Sequence, residues 1–284
     1  MVTMTTENQT IRIENLHASG VYGKRDLVVA RGQGAHVWDD AGRRYIDCVA
    51  GIGVANLGHC HPAVVRAIAE QAQTLITCQE LFYNDRRADV MLRLAALLPA
   101  GLERIFLCNS GSEAVEAAIK FARLSTGRAN VVAAMRGFHG RTLGALSATH
   151  KAQYRTPFQP LVPGFTHVPF DDVAPMEAAV TSQTAAVLVE VVQGEGGVRP
   201  GTDDYFRSLR QLCDERGAQL IFDEVQSGFC RTGRWFACEH AGVTPDLICL
   251  GKAIAGGMPM GAVGIGPRIS GLAPGVHGST FGGN

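Results

Sequence analysis

The sequence predicts an α/β protein with a mainly parallel central sheet, helices on both of its faces, and a small N-terminal α/β segment ahead of it. From Arg104 onward, short apolar runs alternate with helical segments, the order that builds a parallel sheet covered on both sides. Leu220–Phe222 and Leu247–Leu250 are apolar blocks without polar alternation, as strands buried on both faces read. Each block stops at ionisable residues, Asp223-Glu224 after the first and Gly251-Lys252 after the second. In an open α/β sheet the carboxyl ends of the strands border the ligand crevice, so Asp223 and Lys252 are expected to face one site.

The elements follow in order. Residues 1–16 are expected to form an arm, or a helix laid against a partner; the opening MVTMTTENQTIRIENL is polar and lacks the apolar core of a signal peptide. Residues 27–49 alternate as a β-meander, with Asp40-Ala41-Gly42 as a turn. A glycine-rich connector over 51–59 leads to a helix opened by Pro62 and running to about Thr74. A second helix spans about Asp85 to Leu98 and is stopped by Pro99. Arg104–Cys108 is a strand, Asn109–Ser112 a turn, and Glu113–Leu124 an alanine-rich helix with Glu113 and Glu116 at its positive end. Val131–Met135, Thr166–Pro169 and Ala185–Val192 supply further strands, and a helix over about Asp203–Arg216 is closed by Gly217. This divides the chain into an N-terminal segment of a small domain, residues 1–60, and a large domain, residues 61–284.

A chain of 284 residues that is 46% hydrophobic can bury a substantial core. Its net charge of zero offers nothing to a nucleic acid or an acidic membrane, and no apolar run is long enough to span a bilayer. A cytoplasmic protein is expected. The eight cysteines form no CxxC pairs, and Cys48, Cys108 and Cys249 lie in apolar strand-like runs. Reduced, buried thiols fit this better than a disulfide framework. His59-Cys60-His61 is not expected to hold a metal, because adjacent residues rarely converge on one ion without a second ligand cluster.

A lysine and an aspartate flanking one pocket suit pyridoxal phosphate: the amine can condense with the aldehyde, and the carboxylate can keep the ring nitrogen protonated. Taken alone, Lys252 also reads as a surface lysine and Asp223 as an ordinary strand-end acid. Ser110-Gly111-Ser112 stands between a strand and a helix N-terminus, which makes it either an anion site or a serine N-cap. No GxGxxG or Walker lysine accompanies it, which disfavours a nicotinamide dehydrogenase or an ATP site. Phe138, in the segment Gly137–Thr142 after a strand, stacks on a flat ring or packs in the core; Arg141 grips a carboxylate or is solvated surface. His139 is expected to be structural. Glu190 ends an apolar strand ahead of Gln193-Gly194-Glu195-Gly196-Gly197, and Gln226 lies three residues after Asp223.

The segments Asp223-Glu224-Val225-Gln226, Arg231-Thr232-Gly233-Arg234 and Gly251-Lys252-Ala253 with Gly256-Gly257 resemble the class III, fold type I aminotransferases, and the resemblance runs through nearly the whole chain. It implies pyridoxal 5'-phosphate as cofactor, Lys252 and Asp223 as catalytic residues, and a phosphate site at Gly111 and Ser112. It further implies that Phe138 stacks on the ring, Gln226 bonds its phenolic oxygen, and Arg141 grips a substrate carboxylate. Glu190 corresponds to a glutamate that pairs with and releases an arginine of a C-terminal domain that lies beyond these residues. Tyr22 matches a residue near the substrate, and Thr280, in Gly278–Asn284, one that reaches the phosphate of a neighbouring subunit, implying a homodimer with shared sites. Val191 stands where relatives usually have proline.

Ala134–Phe138, Gly194–Pro200 and the closing HGSTFGGN resemble the acetylornithine aminotransferases and the related LysW-γ-lysine enzymes, which act on a carrier-linked amine. The expected reaction is ping-pong transfer of a terminal amine to 2-oxoglutarate in arginine or lysine biosynthesis. Ornithine or 4-aminobutyrate transamination, a glutamate-semialdehyde aminomutase, and an inactive truncated fragment are the alternatives.

Overall fold

The computed structural model describes residues 8–284. Of the arm expected over residues 1–16, the part before residue 8 lies outside the described residues, and Gln9–His17 is a helix capped by Asn8. The meander forms a three-stranded antiparallel sheet, β1 (Val29–Gln33), β2 (His36–Asp39) and β3 (Arg44–Ile46). Asp39 ties its turn together, accepting hydrogen bonds from the Arg43 and Ala41 amides, the Arg43 guanidinium and the Tyr45 hydroxyl.

The remaining strands are β4 (Arg104–Cys108), β5 (Asn130–Ala134), β6 (Phe165–Val168), β7 (Thr184–Glu190), the short pair β8 (Val192–Gln193) and β9 (Arg199–Pro200), β10 (Gln219–Asp223), β11 (Leu247–Leu250) and β12 (Gly261–Ile265). Seven of them form one sheet in the order β4-β12-β11-β10-β7-β5-β6. All run in one direction except β12, which is antiparallel to both of its neighbours. The seven-residue β7, which covers the expected Ala185–Val192 run up to Glu190, is buried throughout.

The two-residue period of a strand divides the interior into two cores. Val187, Val189, Leu220, Phe222, Ile248 and Leu250 face one, with the helix Asp203–Arg216 above them. Ala186, Leu188, Ile221, Leu247 and Cys249 face the other, under the helix Gly111–Thr126. That helix presents Ala114, Ala117, Ala118 and Ala122 to the sheet, and small side chains let its axis lie close. Its partner on the opposite face is capped by Thr202 and closed by Gly217 in the left-handed conformation, φ 64°.

β12 carries little strand signal in the sequence, because its glycines at 261 and 264 lower strand propensity. Packing requires one of them: a Cβ on Gly261 would lie 2.3 Å from the Ser110 carbonyl oxygen. Cys48 is exposed rather than buried, whereas Cys108 and Cys249 are buried as expected. The difference has a structural cause: no residue of the small sheet belongs to either core. Both helices expected between the two sheets are present, as Pro62–Ala72 and Asp85–Leu97, but only the second buries side chains. No described helix is long and apolar enough to cross a membrane.

Phe222 is fully buried and meets Phe206 edge-to-face at 5.5 Å between ring centroids. Phe222→Ala is expected to remove about 3–5 kcal/mol of stability. Urea unfolding followed by circular dichroism checks this, as a lower midpoint with an unchanged slope.

Candidate active site

The parallel strands end on one edge, and a cleft of about 240 Å³ opens there. Each wall belongs to a strand end: Ser110-Gly111-Ser112 follows β4, Phe138-His139-Gly140 follows β5, Glu190 closes β7, Asp223 closes β10 and Lys252 follows β11. Glu195, Val225 and Gln226 complete the lining. Residues scattered over more than a hundred positions converge because the sheet aligns their strands.

Lys252 Nζ donates a hydrogen bond to Gln226 Oε1. Burial lowers the lysine pKa, and the charges of Asp223, Glu190 and Glu195 only partly offset this, so the amine is freer of its proton than a surface lysine. Its backbone has φ 45°, in the left-handed region that side chains other than glycine rarely adopt. Strain of this kind persists where surrounding structure fixes it, here between β11 and the tight turn that follows.

Asp223 is 5% exposed. Its Oδ1 accepts from the Val225 amide, and its Oδ2 lies 2.8 Å from His139 Nδ1. His139 is itself buried; desolvation alone would lower its pKa, but the bond and charge of Asp223, with the charge of Glu190, outweigh that and leave it raised. His139 thus does more than pack. It holds the carboxylate that faces the cleft, a role for which the only sequence signal is its place beside Phe138 at a strand end. Its own amide donates to Thr149 Oγ1, which fixes the backbone on either side of the ring.

Ser110 and Ser112 divide the two readings of their segment. Ser110 is the N-cap, its hydroxyl accepting from the Glu113 amide. Ser112 instead turns its hydroxyl to the loop after β5, where it accepts from the Arg141 amide. Among the described residues, nothing takes up the Gly111 and Ser112 amides, which are first-turn donors of a sixteen-residue helix. Gly140 faces them, and a Cβ there would lie 2.0 Å from Ser112 Oγ. This is a cradle for an anion at the positive end of a helix. Phe138, Val225, Asp223 and Lys252 line the same cleft. The set fits a flat, phosphate-bearing ring with an aldehyde, the shape and chemistry of pyridoxal phosphate.

Glu190 lines the cleft, but its oxygens are occupied: Oε2 accepts from the Phe138 amide at 3.0 Å and Oε1 from the Gly194 amide at 3.3 Å. Burial, with the charge of Asp223 and against that of His139, pushes its pKa up to about 7. Such a carboxylate joins the Phe138 loop to the β8–β9 hairpin, a different position from one that pairs freely with an arginine. The exposed acid on the wall is Glu195, at the tip of that hairpin, which the sequence reading passed over.

Arg141, Thr280 and Tyr22 do not line the cleft. The Arg141 guanidinium sits 3.6 Å over the Tyr154 ring, which packs edge-on to Phe138, so it stands just outside. Thr280 is exposed. Tyr22, 80% exposed, lines a separate groove of about 440 Å³ between the first helix and residues 24–29, away from the strand ends. His59, in the segment weighed as a metal site, is bonded to Asp47 at 2.6 Å.

The aminotransferase class-III family model matches residues 19–284. The chain is 52% identical to an acetylornithine aminotransferase of Methanopyrus kandleri over 96% of its own length and 70% of the relative's. It is 53% identical to a [LysW]-aminoadipate semialdehyde transaminase of Deinococcus radiodurans, over 95% of its length and 64% of the relative's. Among solved structures, an ornithine aminotransferase from Toxoplasma gondii superposes with a TM-score of 0.93 at 36% identity, covering 99% of this chain and 69% of that one. The chain therefore spans about two thirds of the length of the relatives it matches.

The fold keeps Glu190 protonated to a higher pH than the unfolded chain does. From its ordinary 4.5 up to about 7 the unfolded state therefore binds fewer protons, and stability falls as pH rises. The contribution is complete below 4.5 and lost above about 7. Glu190→Gln, which does not titrate, is expected to change its unfolding free energy relative to wild type by on the order of 3 kcal/mol across that window. Urea unfolding at both ends of the window measures it, and a difference constant with pH would mean that Glu190 is ionised throughout.

Proposed function

This chain belongs to the class-III aminotransferases, and on that premise we propose that it is an ω-aminotransferase: it moves the terminal amine of N-acetylornithine, or of a carrier-linked lysine or ornithine, to 2-oxoglutarate. The observation that carries the reading is the convergence on one cleft of a half-buried lysine amine, a buried carboxylate and a helix N-terminus. Pyridoxal phosphate is the cofactor of this family. Gly111 and Ser112 would hold its phosphate, Phe138 and Val225 its ring, Asp223 its ring nitrogen, Gln226 its phenolic oxygen and Lys252 its aldehyde. When bound, it supplies an electron sink for the amine-bearing carbon of the donor.

The residues around it divide the remaining work. Lys252 Nζ, its pKa lowered by burial, would serve first as the nucleophile and then as the base that takes the proton from the donor carbon. Gln226, bonded to that nitrogen, aims it. Asp223, fixed by His139, would hold a proton at the ring nitrogen. Glu190 sets the Phe138 loop, and Glu195 presents a carboxylate to the amine end of a donor. Arg141, exposed at the mouth, meets the substrate carboxylate. Tyr22 reaches the substrate only if another part of the assembly brings its groove to the cleft. Thr280, exposed and outside the cleft of its own chain, serves a second copy in a homodimer.

The donor class draws support from the names of the relatives, which include both acetylornithine and [LysW]-linked enzymes. The purified chain with pyridoxal phosphate is expected to show a visible absorption that Lys252→Ala lacks. N-Acetylornithine should bleach it and 2-oxoglutarate should restore it. Bleaching by ornithine or 4-aminobutyrate instead would reassign the donor, and recovery without any oxo acid would favour an aminomutase. A full response in Lys252→Ala would overturn the assignment.

A further inference from the structure

We propose that Arg87 is a positioning residue. It locks the Thr280 loop and the apolar loop at 75–83 into one body, so that a second copy of this chain seated on the apolar loop receives Thr280 at its own cleft. The inference rests on the shared-site reading given above.

Arg87 lies in the helix Asp85–Leu97 and is 7% exposed. Its guanidinium spends its donors on two distant stretches of chain: Nε on the Gly283 carbonyl, Nη1 on the Phe82 carbonyl at 2.8 Å and Nη2 on the Cys78 carbonyl. Glu80 is 3.2 Å from Nη1 and supplies the counter-charge. A second clasp reinforces the first, since Asn284 Oδ1 accepts from the Cys78 amide at 2.7 Å and from the Thr77 hydroxyl. At its other end the Thr280 loop is held to the cleft wall. Asn109 Nδ2 donates to Ser279 Oγ and to Glu113 Oε2, each at 2.8 Å, and Glu113 stands in the first turn of the helix that forms the anion cradle.

A buried guanidinium whose donors go to backbone carbonyls has the geometry of a fork, and lysine, with a single point charge, cannot reproduce it. The outcome is a loop with an ordered backbone and outward-facing apolar side chains: Ile76, Leu81, Phe82 and Tyr83 are 76%, 78%, 61% and 106% exposed, and Phe281 on the joined loop is 68% exposed. Apolar groups held rigidly in water suit an interface, since little ordering remains to be done on association. Thr280 belongs to that same body and is absent from its own cleft, so across a twofold interface it can be delivered only to the partner.

The test uses cofactor affinity, subunit mixing and hydrogen exchange on the full chain. Wild type is expected to sediment as a dimer and to bind pyridoxal phosphate with a Lys252-dependent absorption. Arg87→Met should bind it about tenfold more weakly, the loss of roughly one hydrogen bond at the phosphate. Its amide exchange should rise together over 78–84 and 280–284 and stay unchanged in β7 and β10. Mixing it with excess Lys252→Ala subunits should restore wild-type affinity, because the only sites with a lysine then receive Thr280 from a partner whose Arg87 is intact. Arg87→Lys replaces the methionine variant if the latter does not fold, with the same expectation. Unchanged affinity, exchange rising in only one loop, a monomeric wild type, or no recovery on mixing would each overturn the role of Arg87 while leaving the cofactor reading intact. A wild type with no Lys252-dependent absorption would instead overturn the functional reading itself, and this inference with it.

Discussion

A carboxylate placed at the end of a fully buried strand must be compensated where it stands, and Asp223 is compensated by His139. The two are 2.8 Å apart, with the imidazole wholly enclosed. Without the imidazole, Asp223 Oδ2 would be buried with no hydrogen-bond partner among the described residues, which is costly. The pair needs the loop after β5 to lie against the end of β10, and that loop is held by Thr149 below and by the Glu190 carboxylate above. Buried pairs are weak sources of stability. This one is better understood as fixing a charge in place.

From that point the cleft can be followed outward. Glu190 bridges the Phe138 amide and the Gly194 amide, so the wall that carries the aromatic ring and the hairpin that carries Glu195 move as one unit. On the far side, Ser112 accepts from the Arg141 amide and draws the same loop toward the helix N-terminus. Three polar contacts therefore set the width of the cleft, and each of them ends on a backbone amide rather than on a second side chain that could rotate away.

The sheet was legible in the sequence because its central strands have apolar interiors and its long helices carry ordinary caps; Leu220–Phe222 and Leu247–Leu250 lie within the observed β10 and β11. The family and its cofactor were legible in motifs at those strand ends. β12 was not, since Gly261 answers to the Ser110 carbonyl across the sheet, and no local pattern records that approach. Nor was His139, whose partner is 84 positions away. Glu190 and Glu195 are both plausible acids in one short stretch, and only burial distinguishes the carboxylate bound to backbone from the exposed one. Arg141, Tyr22 and Thr280, whose expected roles rest on the resemblance alone, lie outside the lining of the cleft.

Lys252 occupies a left-handed backbone conformation that its side chain does nothing to favour. That conformation carries a standing energetic cost of order 1–3 kcal/mol, borne by the rest of the fold. Selection for folding alone would favour glycine here, and under the proposed function the lysine is kept for its amine despite that cost. In lineages where a gene of this kind is duplicated and one copy is released from its reaction, this position should be among the first to drift, and glycine should be the residue it drifts toward. The identity of this single residue would then record whether a copy retains the proposed chemistry.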